Sequence, residues 1–226
     1  MSILDELRAD LRAEKAGRHI PKRQVVHTMS NTLATECVLS DDPRLGQALI
    51  DRYGCNQFSS DSLIDFVGEG KLLQRQGIDF ITPSGQLIDL KLRRPDATYN
   101  DLLVELVSVD TTCQFGWPGN RPSSAQELME YLNGLELPNK IGWTLDPDKR
   151  TDEIVYFQPG LNLIAFINAK ALREAAPELL ARQYQARQGK PFFAVARNRG
   201  YNTVNMPVNY NIVRDILGSD IELVKV

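Results

Sequence analysis

The sequence predicts an α/β domain, on three observations. Residues 78–82 and 87–93 are dense in β-forming side chains and are joined by Pro83-Ser84-Gly85. Residues 102–109 make a nearly continuous apolar run broken by one charge, and segments with helical spacing of apolar residues precede and follow this block. A chain of 226 residues, 42% hydrophobic and 24% charged, is long enough to bury a proper core as one globular unit. We expect residues 1–58 to form a helical N-terminal extension packed on an α/β unit spanning residues 59–226.

Composition narrows the function classes. A net charge of −3 carries no global nucleic-acid signature, so any such site has to be a local patch. Cys37, Cys55 and Cys113 are odd in number and contain no C-x-x-C pair, which points to a reducing cytosol and away from zinc or disulfides. No stretch approaches the roughly 18 apolar residues of a membrane span, and the N-terminus lacks a signal-peptide core. The expectation is a cytoplasmic protein with no membrane partner.

The elements follow in order. Ile3, Leu4, Leu7 and Leu11 predict an amphipathic helix over 3–15, followed by a locally basic stretch, 12–23, that either is solvated or contacts phosphates. His19 and His27 have no partner at ligand spacing and are read as non-catalytic. Asp42-Pro43 starts a second helix that Gly54 ends, and Ser60 or Asp61 caps a third, which Gly68 and Gly70 interrupt. Glu69, between those glycines, is either a turn residue or a functional acid.

At the hairpin, proline suits the first corner of the turn and glycine its left-handed position. A loop of 83–85 pairs residues whose numbers sum to 168, which places Asp79 across from Asp89. Lys91, two along from Asp89, shares that face, while Ile88, Leu90 and Leu92 take the opposite, core-facing side. A two- or four-residue loop would turn Asp79 away.

Arg94-Pro95-Asp96 breaks the strand, and 102–109 then reads as a central strand buried on both faces. Its one charge, Glu105, must meet a cation, a metal or hydrogen-bond donors, or take up a proton; pairing with Lys91 or an arginine and a direct catalytic role are both open. After a loop containing Trp117-Pro118-Gly119-Asn120-Arg121, Ser123 or Ser124 caps a helix through Leu132, and Gly142-Trp143 leads into a charged turn. Strands follow at 153–157 and 161–167. Asn168 caps a helix that Pro177 should split in two. The tail reads as a strand over 192–196, a polar turn Arg197-Asn198-Arg199-Gly200-Tyr201-Asn202, a strand near 203–208, a helix near 212–217 and a last strand, 221–226.

Two carboxylates converging at a sheet edge make a hard, oxygen-rich site suited to Mg²⁺ or Mn²⁺. A lysine beside them is placed to contact a phosphate oxygen or a metal-activated water, which together suggests phosphodiester hydrolysis. In that scheme Asp79 and Asp89 hold the metal with the Leu90 carbonyl, and Lys91 assists the attacking water. As a purely structural feature, the same residues would be a surface Asp–Lys cross-strand pair worth a fraction of a kcal/mol.

Asp79, nine intervening residues, then Asp89-Leu90-Lys91 resembles the signature of the PD-(D/E)XK nuclease superfamily. Gly77-Ile78-Asp79, the apolar strand around Glu105, and Gly142-Trp143 followed by Thr151-Asp152 are similar to features of its phage and bacterial members. The resemblance covers roughly 61–158; Ile78 stands where the family usually has proline. It implies a restriction-endonuclease-like αβββαβ core with a mixed central sheet flanked by helices. It also implies an Mg²⁺-dependent endonuclease cutting DNA, most often double-stranded, often as a homodimer, in a bacterial or phage-infected cell. Many members add a glutamate from the preceding helix, for which Glu69 is the nearest candidate. Arg197, Arg199 and Tyr201, with Arg121 in the earlier loop, are the candidate DNA contacts. The alternative expectation is a catalytically inactive module of this fold that binds nucleic acid or protein.

Overall fold

Asp42 accepts the backbone N–H of Arg44 at 3.0 Å and Pro43 needs no hydrogen bond in a first turn, so helix α1 starts there (Pro43–Tyr53) and ends at Gly54 in the left-handed conformation. The computed structural model describes residues 41–64, 70, 73, 76–110, 124–136, 140–188, 193–198 and 201–226. The expected 3–15 helix, the basic stretch with both histidines, Glu69 and the loop with Arg121 lie outside the described residues.

The α/β class holds, with nine strands and four α-helices among the described residues. The strands form two sheets. The first is mixed and runs β1 (Phe80–Ile81), β2 (Leu87–Leu92), β5 (Glu153–Gln158), β6 (Leu163–Asn168), β9 (Ile221–Lys225), with β2 and β5 parallel and the other pairs antiparallel. The second runs β4 (Lys140–Ile141), β3 (Asp101–Asp110), β8 (Tyr201–Asn209), β7 (Ala194–Asn198), all antiparallel. Helices α2 (Ala125–Asn133), α3 (Ala169–Ala186) and α4 (Tyr210–Leu217) complete the described fold.

Period-2 alternation gives the first sheet two apolar faces. Ile88, Leu90, Val155, Phe157, Ile164 and Phe166 pack under Leu45 and Leu49 of α1. Ile154, Tyr156, Leu163, Ala165 and Ile167 face the other way, into a core shared with Leu102, Val104 and Leu106 of β3, Met206 and Val208 of β8, and the three later helices. Asp89 and Lys91 stand in register with Ile154 and Tyr156, so they project into the layer between the sheets. Arg52 ties α1 down from the rim: it pairs with Glu153 and Glu222 and lies over the Phe166 ring at 4.1 Å.

Three expectations need correction. Strand β3 does not lie in the same sheet as the hairpin, nor is it buried on both faces: Leu102, Val104 and Leu106 are buried while Leu103 and Glu105 are half-exposed. A register shift between Glu105 and Val107 then lets Val107 be buried as well, as a β-bulge does. Helix α3 runs unbroken through Pro177, which is exposed, because the buried stripe of Leu172, Ala176, Leu179, Leu180 and Tyr184 anchors the turns on both sides and outweighs one lost hydrogen bond. The polar turn 197–202 is narrower than expected, since β7 and β8 extend through it as a hairpin, with Asn198 paired to Tyr201. Pro207 is tolerated in β8 because β7 pairs only as far as Asn205, leaving one side of Pro207 without a ladder. Among the described residues no helix is long and apolar enough to cross a membrane.

Gly142 locks β4 onto the bulge. Its N–H donates to Leu106 O at 2.8 Å, and a Cβ there would sit 1.9 Å from Glu105 O. A Gly142→Ala variant is expected to lose on the order of 2–3 kcal/mol of stability in urea unfolding, the range of an overpacked core; unchanged stability would mean that this approach is not made.

Candidate metal and phosphodiester site

The 83–85 loop sets the register that places the site. Phe80 pairs with Ile88 and Ile81 with Leu87, the pairs that sum to 168, and the loop closes with Thr82 N–H on Gln86 O at 3.0 Å and Gly85 at φ 91°. Regular pairing ends one residue short of Asp79. There the chain bends, Asp79 N–H donates to Ile88 O at 2.8 Å, and Asp79 Oδ2 accepts the Leu90 N–H at 2.7 Å. Asp79 therefore reaches Asp89 by capping the edge of β2 with its carboxyl group, rather than as a flat cross-strand neighbour.

The two carboxyl groups are hydrogen-bonded to each other, and Asp79 is pushed up to about 8. Burial is the main cause. The neighbouring Asp89 charge adds to it, against the opposing pull of Lys91 and the Leu90 amide. Asp89 is 2% exposed and receives Lys91 Nζ on Oδ1 at 2.5 Å. The Lys91 ammonium also lies 4.9 Å from the centre of the Trp143 ring, so its stem is clamped between β2 and the segment after β4.

Glu105 belongs to the second sheet and lies within electrostatic range of the same charges. Its Oε1 accepts the Ser108 hydroxyl and, at 3.3 Å, the Trp143 N–H, while its own N–H goes to Thr144 Oγ1 at 3.0 Å. Burial raises its pKa and these two donors to its carboxylate pull it back. The bulge and the Gly142 contact aim it. Glu105 thus lies within the field of Lys91 and Asp89, with its own hydrogen-bond donors.

Two cations that sequence reasoning missed stand by Asp89. Lys149, whose pKa burial lowers, feels Asp146, Asp89, Lys91 and Glu105. Its stem passes Gly77 on the side of Asp89 Oδ2: a Cβ on Gly77 would be 3.4 Å from Lys149 Cδ and 3.7 Å from that oxygen. Thr151 Oγ1 donates to Gly77 O at 2.6 Å and Arg150 N–H to Gln76 O at 3.1 Å, pinning the approach to the hairpin against the charged turn. Arg173 of α3 is the second; burial depresses its pKa, and the charges of Asp89 and Asp146 oppose the shift. Nothing in the turn Asp146-Pro147-Asp148-Lys149 marks Lys149. Arg173 did leave a signal, as a charge in the apolar stripe of its helix.

Asp79, Asp89, Lys91 and Glu105 are thus brought into one neighbourhood. Leu90 follows Asp89 in β2, with its side chain in the α1 core and its amide on Asp79. Glu69, Arg121 and Arg199, and the side chains of Arg197 and Tyr201, lie outside the described residues. Among the described residues no group of three or more His, Cys, Asp or Glu side chains is placed to hold a metal. Two carboxylates suffice for Mg²⁺, which keeps several waters, and a carboxyl pair that holds a proton against its mutual repulsion is a donor set that a divalent cation would relieve. No family model, curated protein or solved structure matches the chain.

The raised Asp79 pKa has a fixed sign in stability. The folded state keeps a proton that the unfolded state, with an ordinary value of 3.8, gives up, so stability falls as pH rises from about 4 through about 8. The melting temperature of the metal-free protein is expected to drop across that window. Asp79→Asn supplies a neutral acceptor for Leu90 and a donor for Asp89, so this part of the drop should vanish; a variant that tracks the parent would refute the shared proton.

Proposed function

We propose that this chain is a divalent-metal-dependent nuclease that hydrolyses DNA phosphodiester bonds on a restriction-endonuclease-like core. The observation that carries the reading is the meeting of a half-buried carboxyl group, Asp79, with a buried one, Asp89, at the β1–β2 hairpin, with Lys91 held on the second. The parallel pairing of β2 with β5, which brings the post-hairpin segment 149–152 back beside the carboxylates, supports it further.

Asp79 and Asp89, with the Leu90 carbonyl, would hold Mg²⁺ or Mn²⁺. When bound, the ion supplies a water of lowered pKa and neutralises charge on the phosphate. Asp79 loses its proton on loading and keeps its hold on the Leu90 amide, so the edge of β2 stays in place. Lys91, oriented by Asp89 and Trp143, presents an N–H⁺ to the attacking water and to the oxyanion that develops on phosphorus. Glu105, fixed by Ser108 and the Trp143 amide, holds negative charge near Lys91. The half-exposed Lys91 side chain marks the route from solvent, since the Asp89 side chain behind it is nearly closed off.

The rival reading is a catalytically inactive module of this fold that binds nucleic acid or protein. On its side stands the Lys91–Asp89 pair, which neutralises Asp89 without any metal ion. A plasmid-cleavage assay with Mg²⁺ separates the two. The parent is expected to nick or linearise DNA, with Asp89→Ala and Lys91→Ala each slower by about 10²-fold or more. Cleavage by either variant at the parental rate sinks the assignment of the site, and a parent that cuts neither DNA nor RNA supports the rival.

A further inference from the structure

Helix α3 buries one stripe: Ala169, Leu172, Ala176, Leu179, Leu180, Gln183 and Tyr184. Arg173 lies four residues after Ala169 and three before Ala176, so it occupies that same stripe, where a helix normally places an apolar side chain. The start of the helix is tied by Ala169 N–H on Asp152 O at 3.0 Å, at the head of β5. Two residues further along β5 is Ile154, the register neighbour of Asp89. Arg173 is therefore carried over the layer that holds the carboxylates, and its Nε is buried with no hydrogen-bond partner among the described residues.

A guanidinium does not give up its proton, and a buried N–H without an acceptor costs about 1–3 kcal/mol. An apolar residue at this stripe position would avoid that cost. Asp89 does not remove it: no hydrogen bond joins its carboxylate to this Nε. What the position lacks is an acceptor with negative charge and more than one oxygen, to match the planar fork of the side chain.

We infer that Arg173 is the phosphate clamp of this site, its guanidinium taking the non-bridging oxygens of a phosphodiester held over Asp79 and Asp89. The ligand class is a nucleic-acid backbone phosphate, and the inference rests on the nuclease reading for the identity of that ligand. Arg173 binds and orients the phosphate while Lys91 serves the attacking water, which divides the cationic work between α3 and β2. Lys149, on the Oδ2 side of Asp89, adds positive field to the same pocket.

The test is binding of a duplex oligonucleotide to the Asp79→Asn protein without divalent metal, measured by fluorescence anisotropy over a range of salt. Replacing Arg173 by Gln in that background should lower the slope of log affinity against log salt by about one, the loss of one phosphate contact. Arg173→Lys should keep most of the slope. If the Gln variant is poorly folded, the comparison is made on Arg173→Met, which keeps the aliphatic packing. As a second readout, inorganic phosphate should raise the melting temperature of the parent and not that of the Arg173→Gln or Arg173→Met protein. Unchanged slope and unchanged phosphate protection in the variants would overturn the inference, as would a background protein that binds no oligonucleotide. A parent that fails to cut DNA while Arg173→Gln still loses one unit of slope leaves the clamp standing and removes only the hydrolysis.

Discussion

Asp79 and Asp89 are two like charges pressed together in a layer that both sheets close, and the surrounding structure is organised by that conflict. Separate burial of either carboxylate would be costly; side by side they survive because one takes up a proton, Lys91 sits on the other, and the Leu90 amide fixes the first. Around them the fold gathers further charge of the opposite sign. Lys91 comes from the same strand, Lys149 from the turn before β5 and Arg173 from the helix after β6. Elements remote in sequence contribute because β2 and β5 are parallel neighbours, so the connection between them has to cross over and return to the same end of the sheet.

How much of this was legible in the sequence depends on the range over which each feature is decided. The hairpin was legible because its register is local: Pro83-Ser84-Gly85 fixes a three-residue loop, and the loop alone sets the pairs Phe80–Ile88 and Ile81–Leu87. The caps of α1, α2 and α3 at Asp42, Ser124 and Asn168 were legible for the same reason. The place of β3 was not. An apolar run with one glutamate does not say which sheet it joins, and its half-exposed face exists because β4 and the Trp143 segment lean over a bulge that only tertiary pairing creates. Pro177 misled because the rule for proline in a helix weighs one hydrogen bond against nothing, whereas here a long buried stripe stands on the other side of the balance.

The candidate site divides along the same line. Asp79, Asp89 and Lys91 could be placed together from strand periodicity, although the bend at Asp79 turns a face-to-face pair into an edge cap. Glu105 could be flagged only as a charge needing a partner; Ser108 and the Trp143 amide, its actual donors, come from a bulge and a crossover. Arg173 was missed, although its signal was local. A charged side chain at the i+4 position of an otherwise apolar stripe is the same kind of signal as a carboxylate in an apolar strand, read with a period of 3.6 instead of 2.

The central claim is that the proton shared by Asp79 and Asp89 occupies the place of a divalent cation. Isothermal titration calorimetry of Mg²⁺ at pH 7, repeated in two buffers of different ionisation enthalpy, tests it most directly. The account predicts binding with release of about one proton, binding without release in Asp79→Asn, and a large loss of affinity in Asp89→Asn. Mg²⁺ that does not bind, or that binds without releasing a proton from the parent, would contradict it.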